Sequence, residues 1–325
     1  MEEIIQKLRD NAKNDPKTIV FPEAGDERIL KAVKYVKEEG IAKPLLLTQD
    51  NLDPEKQEEF ANLFFERKQV KGTSFEESRE LMENPLYYAT MMVRYGYADG
   101  FVAGARFTTS TVIRAALNCL EVDKKSGIVS SCFIMGVPDC VYGENGIFVY
   151  ADCGVIPYPT SEQLANIAIS SARFTNDVLG IVPRVALLSF STKGSADGRW
   201  VDKIKEAVEI AKSKNSGFLI DGELQGDSAL IPEVAKRKLG ESEVGGRANV
   251  LIFPNLDAGN ICYKLTQRLT RGRAIGPIVL GTVQPCSDLS RGCSVEDIID
   301  CAAVTVIRAQ KREKENGSEE LESEE

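Results

Sequence analysis

The chain has 325 residues, 43% of them apolar and 27% charged, a length that holds about two domains, each able to bury a core. With 40 basic against 49 acidic residues, the net charge of −9 offers no basic face for nucleic acid. Any anionic ligand must then be met by a few placed arginines, helix N-termini or backbone N–H groups. There is no histidine, which excludes Ser-His-Asp and Cys-His machinery and histidine-ligated zinc. Base work near neutrality falls to Asp, Glu, Lys, Tyr or Cys.

The start, Met1-Glu2-Glu3-Ile4-Ile5, lacks the basic and apolar regions of a signal peptide, and no apolar run approaches the ~20 residues that span a bilayer. Short apolar runs then alternate with amphipathic stretches. Strands are expected at Thr18–Phe21, Leu45–Thr48, Gly100–Ala103, Ile128–Met135, Ile147–Ala151, Val185–Phe190, Phe218–Asp221, Val250–Phe253 and Ile278–Leu280. Helical patterns lie between them, among them Arg28–Glu39, Pro85–Tyr95, Glu162–Leu179, Val201–Ser213 and Ile261–Leu269. This rhythm predicts an α/β fold with largely parallel sheets. The stretch Cys132–Ala151 departs from it, because Gly143-Glu144-Asn145-Gly146 joins two strands as an antiparallel hairpin. Thr160 and Gln163 have capping-box spacing, and Ser294 and Asp297 the Ser-x-x-Asp version. The last stretch, Lys311–Glu325, holds seven acids, three bases and one leucine, so disorder is expected from Asn316. The eight cysteines include no C-x-x-C pair, which fits small buried hydrophobes in a reducing cytoplasm.

Ligands of parallel α/β sheets bind beyond the carboxyl ends of strands. Four such ends are polar here: Ser191–Ser195, Asp221–Gln225, Pro254–Asn260 and Ser287–Ser294. Ser191-Thr192-Lys193-Gly194-Ser195 has the hydroxyls, lysine and glycine of a phosphate cradle but is not a P-loop, and an ordinary polar turn stays open. No G-x-G-x-x-G supports dinucleotide binding. Ser290, Arg291 and Ser294 precede a helix that starts near Val295, where free N–H groups and a guanidinium fork favour an anion. Asp297 falls in that helix's first turn. A carboxylate there stabilises a helix start by about 0.3–1 kcal/mol, so spacing alone leaves capping and catalysis both open.

Taken together, Ser191–Ser195, Asp221–Gln225, Asn249–Pro254 with Asp257-Ala258-Gly259-Asn260, and Asp288-Leu289-Ser290-Arg291-Gly292-Cys293-Ser294 resemble the phosphate acetyltransferases (phosphotransacetylases). Ala98–Ala105 and Val137–Cys140 match as well, and the resemblance extends to about Gln310. It implies two α/β domains with a cleft between them, on the isocitrate/isopropylmalate dehydrogenase-like plan: 1–128 with 292–315, and 129–291. It implies reversible acetyl transfer between CoA and phosphate, with CoA and acetyl-CoA as co-substrates, no bound cofactor, no metal and a homodimer. By the same resemblance Asp297 is the base, Ser290 hydrogen-bonds the transition state, Arg291 holds phosphate, and Arg67 and Arg114 bind substrate.

The pattern is broken at Phe107, where members commonly carry histidine, and at Gln284 and Ser287, where Lys and Asn are usual. Ile156-Pro157-Tyr158-Pro159 replaces a more polar turn. All these changes are expected to flank the cleft and to bear on acyl-chain preference. Two alternatives stand beside acetyl transfer: transfer of propionyl or butyryl, and a catalytically silent acetyl-CoA-sensing module.

Overall fold

The computed structural model describes the chain except Met1, 215–216, Glu241 and 324–325, and without the side chains of Lys71 and 316–323. Ten strands run β1 (Thr18–Phe21), β2 (Lys43–Leu46), β3 (Gly100–Ala103), β4 (Ser130–Gly136), β5 (Ile147–Ala151), β6 (Arg184–Leu188), β7 (Leu219–Leu224), β8 (Val250–Ile252), β9 (Arg273–Leu280) and β10 (Cys286–Asp288). The helices are α1 (Glu2–Lys13), α2 (Glu27–Glu38), α3 (Pro54–Lys68), α4 (Phe75–Met82), α5 (Pro85–Arg94), α6 (Thr109–Cys119), α7 (Ser161–Phe174), α8 (Arg199–Ser213), α9 (Gly226–Leu230), α10 (Pro232–Leu239), α11 (Leu256–Thr270) and α12 (Val295–Ser323). The acidic tail expected to be disordered from Asn316 instead continues the backbone of α12 to Ser323, and only 324–325 lie outside the described residues.

Contacts divide the chain into a middle unit, Met1–Ile4 with Val122–Gly281, and a flanking unit, Ile5–Glu121 with Thr282–Glu325. The sequence drew its boundaries at 128/129 and 291/292. The return to the flanking unit comes earlier because β10 pairs with β3.

The flanking unit's strands lie in the order β2-β1-β3-β10, all parallel. Every residue of β3 is buried, as a strand covered on both faces requires. Helix α2 lays Ile29, Ala32, Val33 and Val36 inward at helical spacing, and Asp26 caps it by accepting the N–H of Arg28. Helix α12 is buried along Ile298–Ile307 and packs on α2, β1, β3 and β10. Burying side chains of this size contributes about 1.5–3 kcal/mol apiece.

In the middle unit the order is β9-β4-β5-β8-β6-β7. The expected hairpin is present: β4 pairs antiparallel with β5, and also with β9. The other pairings are parallel. Thr160 and Gln163 form the capping box of α7, each side chain meeting the other's backbone N–H. Strand β9 starts five residues earlier than the sequence suggested, because Gly276-Pro277 reads as a break yet sits inside the strand, opposite the irregularity between Cys132 and Ile134. No helix among the described residues is long and apolar enough to cross a membrane.

Candidate active site

In the flanking unit, three loops leave the carboxyl ends of neighbouring parallel strands. The first follows β1, carries Glu23 and Asp26 and leads to Arg28 in the first turn of α2; the second follows β3 and runs from Gly104 to Thr108; the third follows β10 and runs from Leu289 to Ser294. Glu23 is buried, and its carboxylate accepts four successive backbone N–H groups. Oε2 takes those of Gly104 (2.8 Å) and Ala105 (3.0 Å), and Oε1 those of Arg106 (2.6 Å) and Phe107 (2.9 Å). Gly104, at φ +116°, is pressed against the third loop: a Cβ there would collide with Asp288 and come within 2.6 Å of the backbone N and O of Leu289.

Arg28 joins the same loops. Its guanidinium donates to the carbonyls of Ala105 (2.9 Å), Arg291 (2.8 Å) and Cys293 (2.9 Å), while both carboxylate oxygens of Asp26 hold it. The hydrogen bond from Arg28 pulls the Asp26 pKa below its ordinary value, and Asp26 in turn raises that of Arg28. Ser290 and Arg291 themselves are exposed at the crown of a turn closed by the Cys293 N–H on the Ser290 carbonyl (2.9 Å). The Ser294 N–H donates to Asp297 Oδ2 (2.9 Å), and the Asp297 N–H donates to Ser294 Oγ (3.2 Å). The reciprocal cap that the spacing left open is therefore formed. It engages Oδ2 of a partly exposed Asp297.

Beneath the turn, Asp288 is fully buried, and neither of its carboxylate oxygens meets a hydrogen-bond partner among the described residues. Burial raises its pKa to about 7, and the charge of Glu23 adds to the rise. Cys293 is buried beside Arg28, and burial pushes its thiol up to about 11.

Arg114 is exposed on α6. Arg67 ends α3 and donates to the Cys119 carbonyl (2.6 Å), at the far end of α6 from the loop that meets Glu23. Arg67 thus touches the last residue of α6, the helix that carries Arg114.

The middle unit holds the other predicted site, and its donors are already used. Glu223, buried, accepts from Ser191 Oγ (3.0 Å) and the Gly194 N–H (2.7 Å). The N–H groups of Thr192 and Ala196 go to Ser195 Oγ and Ser191 Oγ, and that of Ser195 to the Thr192 carbonyl. Lys193 donates to Asp221 (2.6 Å) and to the Gly222 carbonyl (2.7 Å). An internal carboxylate therefore fills the cradle expected for phosphate. What the turn turns outward is Lys193, Gly194 and Ser195.

The departures separate in the same way. Phe107 stands at the loop held by Glu23, whereas Gln284 and Ser287 are buried on either side of the start of β10. Gln284, two residues before β10, lies beside the Arg94 carbonyl, and Ser287 is packed against Thr305 Oγ1 (2.8 Å). Sequence reasoning missed Glu23, Arg28 and Asp288. The signal was available for the first two, since both follow the carboxyl end of a predicted strand, the place where polar residues of later strands were sought. Among the described residues no group of three or more Asp, Glu or Cys side chains converges as a metal ion would need.

The sequence profile of the Phosphate acetyl/butaryl transferase family matches residues 3–306. The phosphate acetyltransferase of Thermoanaerobacterium thermosaccharolyticum is 47% identical over 326 residues, covering 94% of this chain and 99% of its own. That of Acetivibrio thermocellus is 46% identical over 325 residues, covering 94% and 98%. The crystal structure of a phosphotransacetylase from Streptococcus pyogenes superposes with a TM-score of 0.88 at 35% identity, over 96% of this chain and 99% of that one. A match of this extent in sequence and in fold places the chain in the Phosphate acetyl/butaryl transferase family.

Proposed function

We propose that the chain is a phosphate acetyltransferase, transferring an acetyl group reversibly between CoA and inorganic phosphate, and that its chemistry is carried by Ser290, Arg291 and Asp297. The observation that carries this assignment is the turn after β10. It holds an exposed hydroxyl, an exposed guanidinium and a carboxylate within eight residues, on backbone fixed by Arg28.

In the direction of acetyl-CoA synthesis, Asp297 takes the proton of the CoA thiol as sulfur attacks the acetyl carbonyl. A free thiol has a pKa near 8.5, so a base at hand is worth roughly 10²–10⁴ in rate. Ser290 Oγ–H donates to the oxyanion of the tetrahedral intermediate, which collapses by breaking the bond from carbonyl carbon to phosphate oxygen. Arg291 pairs with the departing phosphate in a planar fork. Arg67 on α3 and Arg114 on α6 would meet the anionic parts of the long CoA molecule. The Ser191–Ser195 turn, with its backbone engaged, would meet substrate through Lys193 and its outer face. Direct attack is favoured over an acetyl-cysteine because Cys293, the thiol within the turn, is buried and held protonated.

The test is thioester formation from acetyl phosphate and CoA. Asp297→Asn keeps a capping side chain, so it should fold normally and lose roughly 10²–10⁴ in turnover; near-wild-type turnover would remove Asp297 from the base role. Arg291→Ala should raise KM for acetyl phosphate, and unchanged constants would remove Arg291 from the site. The family's name covers butyryl as well as acetyl transfer. One methylene is worth about 1–3 kcal/mol in an apolar pocket, so kcat/KM across acetyl, propionyl and butyryl phosphate decides the chain length.

The same reading includes a cytoplasmic setting, consistent with eight free cysteines, and a homodimer. Ile261, Leu265 and Leu269 stand exposed at i, i+4 and i+8 along α11, a stripe that a second copy would cover.

A further inference from the structure

One carboxylate that accepts four successive backbone N–H groups fills a backbone nest of the kind other proteins offer to phosphate. Glu23 does this for Gly104–Phe107, and nothing in the transfer chemistry asks it to touch a substrate. Its effect passes through two contacts. Gly104 lies directly on Asp288 and Leu289, the residues that lead into Ser290. Ala105, next in the nest, lends its carbonyl to the guanidinium that also holds the carbonyls of Arg291 and Cys293. Removing two of the four N–H contacts would free the strip of backbone on which the reacting turn rests.

We propose that Glu23 is a positioning residue for acyl transfer: by gathering the Gly104–Phe107 N–H groups it sets the backbone that orients the Ser290 hydroxyl and the Arg291 guanidinium. This rests on Ser290 and Arg291 being the reacting groups. A 1 Å displacement of such groups costs on the order of 10²-fold in rate. Glu23→Gln preserves shape but sets an NH2 against two N–H donors. It should lower kcat by about 10–100-fold with KM for CoA within about threefold, since Arg67, on α3, and Arg114, on α6, lie outside the Gly104–Phe107 strip.

The experiment is a double-mutant cycle of Glu23→Gln with Ser290→Ala, measured as kcat in variants whose circular dichroism and unfolding are cooperative. If Glu23 works through the turn, the double variant is no slower than about twofold below Ser290→Ala alone, because effects of groups acting as a unit do not multiply. Losses that multiply would show an independent effect and overturn the proposal. So would a folded Glu23→Gln with kcat within twofold of wild type. Should Glu23→Gln not fold, Glu23→Asp, one methylene short of the nest, is judged by the same two criteria. Ser290→Ala and Arg291→Ala at full activity would instead overturn the assignment of the turn, an outcome separate from the behaviour of Glu23.

Discussion

Asp288 has a consequence that a solution measurement reads directly. In the unfolded chain an aspartate ionises near 3.8, whereas the folded site keeps its proton until about 7. Between those values the unfolded state binds fewer protons than the folded one, so this residue's contribution to stability falls as pH rises from about 4 to about 7 and is level above. Asp288→Asn removes the dependence. Its advantage over wild type in denaturant unfolding should grow by on the order of a few kcal/mol from pH 5 to pH 8. An equal difference at both pH values would mean that Asp288 ionises as it does in the open chain. At this scale the sequence showed the cap between Ser294 and Asp297, because both partners sit three residues apart. It did not show Arg28 as the tie of the turn, because its partners Arg291 and Cys293 lie some 260 positions away and are backbone carbonyls, which no letter of the sequence announces.

Among the elements, the glycine after β3 marks how closely two loops approach. Gly96 and Gly104 both have positive φ, but a Cβ on Gly96 meets nothing, while one on Gly104 meets Asp288 and Leu289. Gly96→Ala should cost about 1–2 kcal/mol from conformation alone. Gly104→Ala should cost more, and should also lower turnover, because the displaced backbone carries Ser290. Equal losses, measured by thermal unfolding and by rate, would deny the close packing. The strands legible in advance were those with uniform apolar runs, such as β1, β3 and β5. Strand β10 was not, since Cys286-Ser287-Asp288 is polar in letters and becomes a buried strand only through tertiary partners such as Thr305. The Ser191–Ser195 turn shows the opposite limit. Its composition suits a phosphate, but Glu223, 28 or more residues on, reaches the donors first.

For the molecule as a whole, the α/β class followed from alternation and the parallel sheet from the spacing between strands, whereas the point of return to the flanking unit depended on the hidden β10. The proposed homodimer predicts a solution mass of twice 35.7 kDa by light scattering, and Leu265→Glu, on the exposed α11 stripe, should halve it. A wild-type mass of one chain would withdraw the dimer while leaving the reaction untouched. The order of the two units along the chain also bears on synthesis. Domains fold as they emerge from the ribosome. The middle unit is contiguous from Val122 to Gly281 and can close while translation continues; the flanking unit waits for everything after Thr282. Until then β3 lacks the strand that pairs with it on one side, and Ser290, Arg291 and Asp297 have not been made. A nascent chain therefore gains the strand that completes β3 and the proposed reacting groups in one event, so on that assignment a stalled or truncated product is expected to have no partial activity to release.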